Sequence, residues 1–301
     1  LDMCMCLYKC VSTGNMEGML EIVEDSRTVA DIIKWSSNAG AATGIKKRFR
    51  AVQNANKTGV IAKWLTATGE KNIQKNQRLY SPKSLGTLAL AAPSRGFRGS
   101  KLDKRSSGMF QSMKRSQHSN FINAVDKNLV HDVLTHNYMY SVASACISTY
   151  ILGIGDRHND NYMIKCDGRF FHIDFGHILG NFKSKGILGR VENRRCVFTA
   201  DMKHALQGNY NRFMELCTKA YNILRQPKHA NTILTMLTLS ISCGLPELRT
   251  VGDLKWPEDK LMFHKSNAEA GGYFREQLKK ASGGKDKRSQ AKNWVHLFKH
   301  A

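Results

Sequence analysis

Apolar residues along the chain change their spacing several times, and each change predicts an element. MLEIVE at 19–24 reads as a strand after the turn-like TGN at 13–15, and GVIAKWL at 59–65 reads as a helix. Phe121, Val125, Leu129 and Val133 recur every four residues, with Ile122, Val130 and Leu134 widening the stripe into a helical face. A second run, Val142 to Leu152, is apolar nearly all round, the pattern of a buried helix, and it stops at Gly153 and Gly155. Further helical patterns lie near 201–225, 230–243 and 267–281, with Gly244 and Pro246 ending the second of them. The last residues, AKNWVHLFKHA, form a short amphipathic pattern. No internal repeat is visible.

Between Thr66 and His118 the pattern lapses. Eleven Lys and Arg stand against two acids, among many Ser, Gly, Asn and Gln, so this stretch reads as a loosely ordered basic insertion. The whole chain of 301 residues carries a net charge of +22, which favours a polyanionic partner: nucleic acid, an acidic membrane leaflet or a phosphorylated substrate. A nucleic-acid binder would interleave its cations with stacking aromatics, and the insertion has few. The eight cysteines make no paired CxxC boxes, so a reducing, cytosolic setting is expected. The most apolar run, ILTMLTLSIS at 233–242, is too short to span a membrane.

Candidate chemistry concentrates in GDRHNDNYMIKCDGRFFHIDFGH at 155–177. Asp-Gly between YMIK and RFFHI signals a hairpin. With Asp167 and Gly168 as a two-residue loop, Cys166 faces Arg169, Ile164 faces Phe171 and Asn161 faces Asp174. An amide oxygen and a carboxylate then converge at the open end, a plausible clamp for a hard divalent cation such as Mg²⁺. Asp156, His158 and His177 flank this clamp and can handle protons or contact phosphate, whereas His172 reads as packing on the hairpin.

GIGDRHNDNYMIK followed by HIDFGHILGNFKSK resembles the catalytic and activation loops of the phosphoinositide 3-kinases. LYKCVSTGNMEGMLEIVEDSRTVADI resembles the segment running into the hinge, YNILRQPKHANTILTMLTLSISCGLPEL the later helices, and KNWVHLFKHA the terminal helix. The resemblance implies an α+β, mainly helical fold, the protein-kinase-like large (C-terminal) lobe of the phosphoinositide 3/4-kinase type. It divides the chain into the end of a small lobe with its hinge (1–35), the start of the large lobe (36–65), the basic insertion (66–118) and the large lobe proper (119–301). The last holds a catalytic loop at 153–161, an activation loop at 174–199 and a terminal helix at 291–301.

The implied activity is transfer of the γ-phosphate of ATP, the co-substrate, to the 3-hydroxyl of a phosphoinositide headgroup, with Mg²⁺ or Mn²⁺. Asn161 and Asp174 would hold the metal. Asp156, His158 and His177 would be catalytic, with His177 ranked ahead of Asp156 as proton acceptor. Tyr8, Glu21, Ile22, Val23, Met163 and Ile173 would surround ATP, the backbone of Glu21 and Val23 meeting adenine. Lys183, Lys185, Arg190, Arg194 and Arg195 would bind the headgroup, and Trp294 and Phe298 the membrane. Class I-like FGHILGNFKSK points to phosphatidylinositol 4,5-bisphosphate. GRVENRRCVFT departs from the class I pattern, with Val191 and Asn193 where cations are expected, which leaves a monophosphorylated substrate open. Implied partners are ATP and a phosphoinositide membrane surface, not nucleic acid; a regulatory subunit stays open. The enzyme would be cytoplasmic and peripheral at membranes.

No glycine-rich phosphate loop precedes the hinge, and Lys9 is poorly placed as the ATP-contacting lysine. Most of the small lobe is therefore expected to lie outside these residues, and residues 1–301 alone to transfer phosphate poorly. Competing readings are a protein kinase of the same superfamily, opposed by KSK and His177, and a silent basic membrane-binding module, for which Asp156, His158, Asn161 and Asp174 would have no use.

Overall fold

A computed structural model of the chain describes residues 1–14, 17–37, 59–75, 127–181 and 196–283. The described residues build a helical body around one long helix, together with two small sheets. Two antiparallel strands, β1 (Cys10–Gly14) and β2 (Glu17–Leu20), form an exposed ribbon. A second sheet orders β3 (Ser26–Thr28), β4 (Tyr162–Lys165) and β5 (Phe170–His172), all antiparallel. The helices are α1 (Val29–Ser37), α2 (Val60–Lys75), α3 (Lys127–Leu152), α4 (Ala200–His204), α5 (Tyr210–Leu224), α6 (Pro227–Ser240), α7 (Lys255–Leu261) and α8 (Asn267–Gly283). Two 3₁₀ turns, Ile241–Cys243 and Val251–Leu254, follow α6 and precede α7.

α3 organises the fold because most of its length beyond Asn137 is buried. Tyr138, Met139, Val142, Cys146, Ile147 and Tyr150 are all buried, and the helix touches α2, α5, α7 and β5. The two predicted runs, Phe121 onward and Val142–Leu152, are thus one helix from Lys127; Phe121 to Asp126 lie outside the described residues. Gly153, at φ +57°, closes it as a Schellman cap, the Ile154 N–H donating to the Thr149 carbonyl at 3.2 Å.

Polar positions on α3 are buried too, and they position the hairpin. Asn137 donates to the Asp167 carbonyl at 2.8 Å, and the Ser141 hydroxyl accepts from the Phe170 N–H at 2.9 Å.

Several expectations need correction. The first strand signal runs past its element: β2 stops at Leu20, and Glu21 to Val23 are not strand. α2 continues through Lys75, ten residues into the stretch expected to be loosely ordered. It does so because Gly69 lets α3 approach, a Cβ there meeting Leu134 Cδ2 at 2.9 Å, and because Trp64 and Leu65 are buried. The pattern at 201–225 splits into α4 and α5 at Gly208, φ +86°. Neither α1 nor α7 was anticipated.

The hairpin is the largest correction. Lys165 N–H donates to the Arg169 carbonyl at 2.8 Å, and Gly168 N–H to the Lys165 carbonyl at 2.9 Å. The loop therefore holds three residues, Cys166, Asp167 and Gly168, with Gly168 at φ +94° supplying the left-handed position of a bulged turn. Ile164 pairs with Phe170, Met163 with Phe171 and Tyr162 with His172. Asn161 then lies opposite Ile173, whose N–H donates to its carbonyl at 3.1 Å, and not opposite Asp174.

Among the described residues no helix is long and apolar enough to cross a membrane. All eight cysteines are free, and burial pushes the Cys146 and Cys217 thiols well up.

Candidate active site

Residues 153–161 leave α3 as an irregular loop and return to β4, while 173–181 leave β5 and run back beside the end of α3. Two backbone ties bring the loops together: Gly155 N–H donates to the His177 carbonyl at 2.9 Å, and Leu179 N–H to the Leu152 carbonyl at 2.7 Å. The candidates Asp156, His158, Asn161, Asp174 and His177 all sit on this pair of loops.

Arg157 binds the pair internally. Its side chain is 1% exposed. Nε donates to the Gly155 carbonyl at 2.7 Å, while Nη1 reaches the carbonyls of Asn161 at 3.1 Å and Ile173 at 2.6 Å. Nη2 donates to the Asp174 carbonyl. One guanidinium thus gathers both candidate metal-holding residues by their main chain, a fork geometry that lysine cannot reproduce. Sequence reasoning passed over Arg157; the only signal was a lone cation between the candidates Asp156 and His158.

Asp156 and Asp174 both take left-handed backbone, φ +52° and +58°. Non-glycine residues seldom do so, and such strain gathers at functional sites. Asn161 is buried, and its Nδ2 donates to the Asp156 carbonyl at 2.7 Å, which orients the amide. Asp174 is exposed. An amide oxygen and a carboxylate suit a hard divalent cation. No cluster of three or more His, Cys, Asp or Glu side chains forms among the described residues, so any cation here would complete its shell from substrate oxygens or water.

The two histidines have opposite polarity. His158 Nδ1 lies 3.3 Å from the Asp160 N–H, the arrangement of an acceptor that leaves the hydrogen on Nε2, and 3.8 Å from the Asp160 carboxylate. His177 Nδ1 lies 3.2 Å from the Asn181 carbonyl, which can only accept, so Nδ1 donates and Nε2 is the acceptor. His172 is buried, and neither ring nitrogen makes a hydrogen bond. Burial, then the Arg157 charge, lowers its pKa to about 3. It packs edge-on to Phe170 and Tyr162, the structural role its sequence context implied.

Of the expected ATP-contacting residues, Met163 and Ile173 share one face of the hairpin, and Tyr8 packs beside Phe171 on it. Tyr8 is half-buried, its hydroxyl donating to the His172 carbonyl at 2.9 Å and its ring 5.9 Å from Phe171; burial raises its pKa. Met163 and Ile173 are half-buried on the hairpin. Glu21 is tied to Lys9 by its N–H at 2.8 Å and its carboxylate at 2.9 Å, and the Val23 carbonyl accepts from the Ser26 hydroxyl at 2.6 Å. Among the described residues no bond forms to the Glu21 carbonyl or the Val23 N–H. Ile22 is 87% exposed. Lys183, Lys185, Arg190, Arg194, Arg195, Trp294 and Phe298 lie outside the described residues.

The model of the family described as phosphatidylinositol 3- and 4-kinase matches residues 1–250. Phosphatidylinositol 3-kinase 3 of Dictyostelium discoideum is 31% identical over 287 residues, covering 94% of this chain and 13% of that protein. Phosphatidylinositol 4-phosphate 3-kinase C2 domain-containing subunit beta of Homo sapiens is 41% identical over 153 residues, 49% of this chain and 9% of that protein. Phosphatidylinositol 3-kinase C2 domain-containing subunit gamma of Rattus norvegicus is 30% identical over 287 residues, 93% of this chain and 14% of that protein. The chain therefore spans a small fraction of the length of each of these relatives.

Proposed function

The chain belongs to the phosphatidylinositol 3- and 4-kinase family, and on that premise we propose that it carries the reaction lobe of a lipid kinase. This kinase moves the γ-phosphate of ATP to the 3-hydroxyl of a 4-phosphorylated phosphatidylinositol. The observation that carries the reading is the Arg157 guanidinium, whose bonds to the Asn161, Ile173 and Asp174 carbonyls join the two loops into one oxygen-rich site.

The chemistry follows from the side chains. The headgroup 3-hydroxyl oxygen forms a bond to the γ-phosphorus as the bond from that phosphorus to the β–γ bridging oxygen breaks, and ADP leaves. The hydroxyl proton passes to His177 Nε2, the nitrogen left as acceptor by the Nδ1 bond to Asn181. His158 Nε2–H donates to the transferring phosphate. Asn161 and Asp174 hold a divalent cation, Mg²⁺ or Mn²⁺, which when bound offsets the phosphate charge. Asp156, in its left-handed conformation, anchors Asn161 through its carbonyl. Adenine sits on the Glu21 carbonyl and Val23 N–H, with Tyr8, Ile22, Met163 and Ile173 around it.

Lys183, Lys185, Arg190, Arg194 and Arg195 receive the headgroup, and Trp294 and Phe298 meet the bilayer, so the enzyme works as a peripheral protein at the membrane surface. Phosphatidylinositol 4,5-bisphosphate follows from the FGHILGNFKSK resemblance. The name of the human relative and the sparse cations of GRVENRRCVFT favour the 4-phosphate as a second substrate.

The test is a full-length lipid-kinase assay on vesicles of phosphatidylinositol, its 4-phosphate and its 4,5-bisphosphate, with Asp174→Asn as control. The expected product carries its new phosphate at position 3, made from either 4-phosphorylated lipid. Product at position 4 overturns the regiochemistry, and turnover surviving in Asp174→Asn overturns the metal assignment. Residues 1–301 alone should turn over poorly, because the sequence ahead of Glu21 offers ATP no glycine-rich loop; measurable turnover by the purified fragment refutes that.

A further inference from the structure

Beyond Gly176 the chain passes close against the end of α3, and the crossing is made by two glycines. Gly180 N–H donates to the Gly153 carbonyl at 3.2 Å. Both glycines have positive φ, +57° at Gly153 and +81° at Gly180. A Cβ on Gly153 would meet the Gly180 nitrogen and lie 2.6 Å from Trp256 Nε1. A Cβ on Gly180 would fall inside the same indole, 2.8 Å from its Cδ2. Trp256, from α7, therefore lies directly against both backbones, and only hydrogen fits between.

The indole is itself held. Nε1 donates to the Tyr150 carbonyl at 3.3 Å, and the Lys260 ammonium sits 4.3 Å from the ring centre. The neighbouring residues dock on the same unit. Leu179 is buried with Leu248 and Leu254, and Asn181 Nδ2 donates to the Glu247 carbonyl at 3.2 Å. Asn181 is also the residue whose carbonyl accepts from His177 Nδ1. The group that sets the His177 tautomer is thus fastened from outside the two loops.

We propose that Trp256 is a positioning residue for phosphoryl transfer: it closes Gly153 onto Gly180 and so fixes His177 against the loop that carries Asp156. This rests on the reading of His177 as proton acceptor. The contacts of Trp256 described above are to Tyr150, Gly153, Gly180 and Lys260, so its removal should act on kcat through geometry and leave ATP affinity nearly unchanged. Sub-ångström looseness at a reacting centre costs rate steeply, on the order of 10²-fold for a 1 Å misplacement.

The experiment compares full-length wild type, Trp256→Ala, Trp256→Phe, His177→Gln and the Trp256→Ala/His177→Gln double variant on vesicles containing phosphatidylinositol 4-phosphate. kcat and KM for ATP are measured well below each variant's melting temperature. Trp256→Ala should lower kcat by about 10- to 100-fold with KM for ATP unchanged within about twofold. Trp256→Phe, which keeps an aromatic face against the glycines, should recover most of the loss. The double variant should be no slower than His177→Gln alone, because a residue acting through His177 has nothing left to position. A wild-type kcat in Trp256→Ala, or multiplicative losses in the double variant, overturns the proposal. If Trp256→Ala does not yield folded enzyme, Trp256→Leu carries the same measurements and criteria. Full turnover in His177→Gln removes the proton-acceptor reading and this inference with it. A dead His177→Gln beside an unaffected Trp256→Ala removes this inference alone.

Discussion

Asp201 offers a test of how the helical body is held, because one carboxylate serves three donors on another helix. It follows the stretch Cys196–Thr199, of which Cys196, Val197 and Phe198 are buried, and it caps the start of α2 across the fold. Oδ1 accepts from the Gly59 N–H at 2.5 Å and the Val60 N–H at 3.2 Å, and Oδ2 from the Ile61 N–H at 3.3 Å. Replacing Asp201 with alanine orphans all three. A helix-capping side chain is worth about 1 kcal/mol and up to about 2, and a buried donor left unpaired costs about 1–3 kcal/mol. Only the Gly59 bond is short, so one full bond and two weak ones give about 2–3 kcal/mol, after part is returned because the carboxylate is no longer desolvated. With a urea dependence of about 2–3 kcal/mol per molar, the unfolding midpoint should fall by about 1 M. Tryptophan emission reports it, since Trp64 is buried in α2 itself. A change below about 0.5 kcal/mol, the ordinary scatter of surface substitutions, would refute the reasoning.

The same residue gives a signed pH prediction. Burial raises the Asp201 pKa, outweighing the lowering by the three backbone bonds. The folded state therefore holds the proton more tightly than the unfolded state. The resulting stability is present below the ordinary carboxylate pKa and is lost as pH rises through the raised value. Measured against Asp201→Asn, which cannot titrate, wild type should lose relative stability as pH climbs out of the acid range. A gap that moves the other way would mean that the three N–H bonds and the positive end of α2 outweigh burial.

Two further substitutions probe the hairpin. Gly168→Ala places a Cβ 2.5 Å from the Leu134 carbonyl oxygen in a φ +94° backbone, so it should cost several times what Gly208→Ala costs, where φ is +86° and nothing lies within 4 Å; paired urea titrations check the ratio. His172→Phe should remove an acid liability: with its folded pKa near 3, wild-type His172 contributes stability above its unfolded value, about 6.5, that drains as pH falls toward 3, and the phenylalanine variant should lack that slope in denaturation measured from pH 7 to 4.

What could be read from the sequence was what repeats or clusters. The apolar surround of Val142–Leu152 announced a buried helix, and Gly153 its end, because both signals are local. Asp156, His158, Asn161, Asp174 and His177 were legible as a group because they lie within one short stretch, and the loops bearing them do meet. The elements that went unread are fixed by distant partners. α2 continues through Lys75 because Leu134 and Gly69 fit together across the fold. α7 earns its place through Trp256, whose partners Gly153 and Gly180 lie far away in sequence. No window of neighbouring residues contains such a contact.

The hairpin differs in register from the expectation, and the two loops are brought together by other means. Asp-Gly was read as a two-residue loop, which puts Asn161 and Asp174 on one face. The third loop residue, Cys166, moves the pairing by one, and in a strand a one-residue slip exchanges the two faces. Cross-strand pairing therefore sets Asn161 against Ile173 and carries Asp174 past the end of the ladder. What ties the main chains of the two residues together is not sheet geometry. The left-handed turn at Asp174 redirects the chain just after β5, and Arg157 takes the Asn161, Ile173 and Asp174 carbonyls into one guanidinium. Arg157 is buried and donates to main-chain oxygens of both loops, so the main chains that carry Asn161 and Asp174 are tied by a guanidinium and not by cross-strand pairing alone. The loops that carry the candidates are held together by their own arginine, and the strand residues Tyr162, Ile164 and Phe170 serve the core.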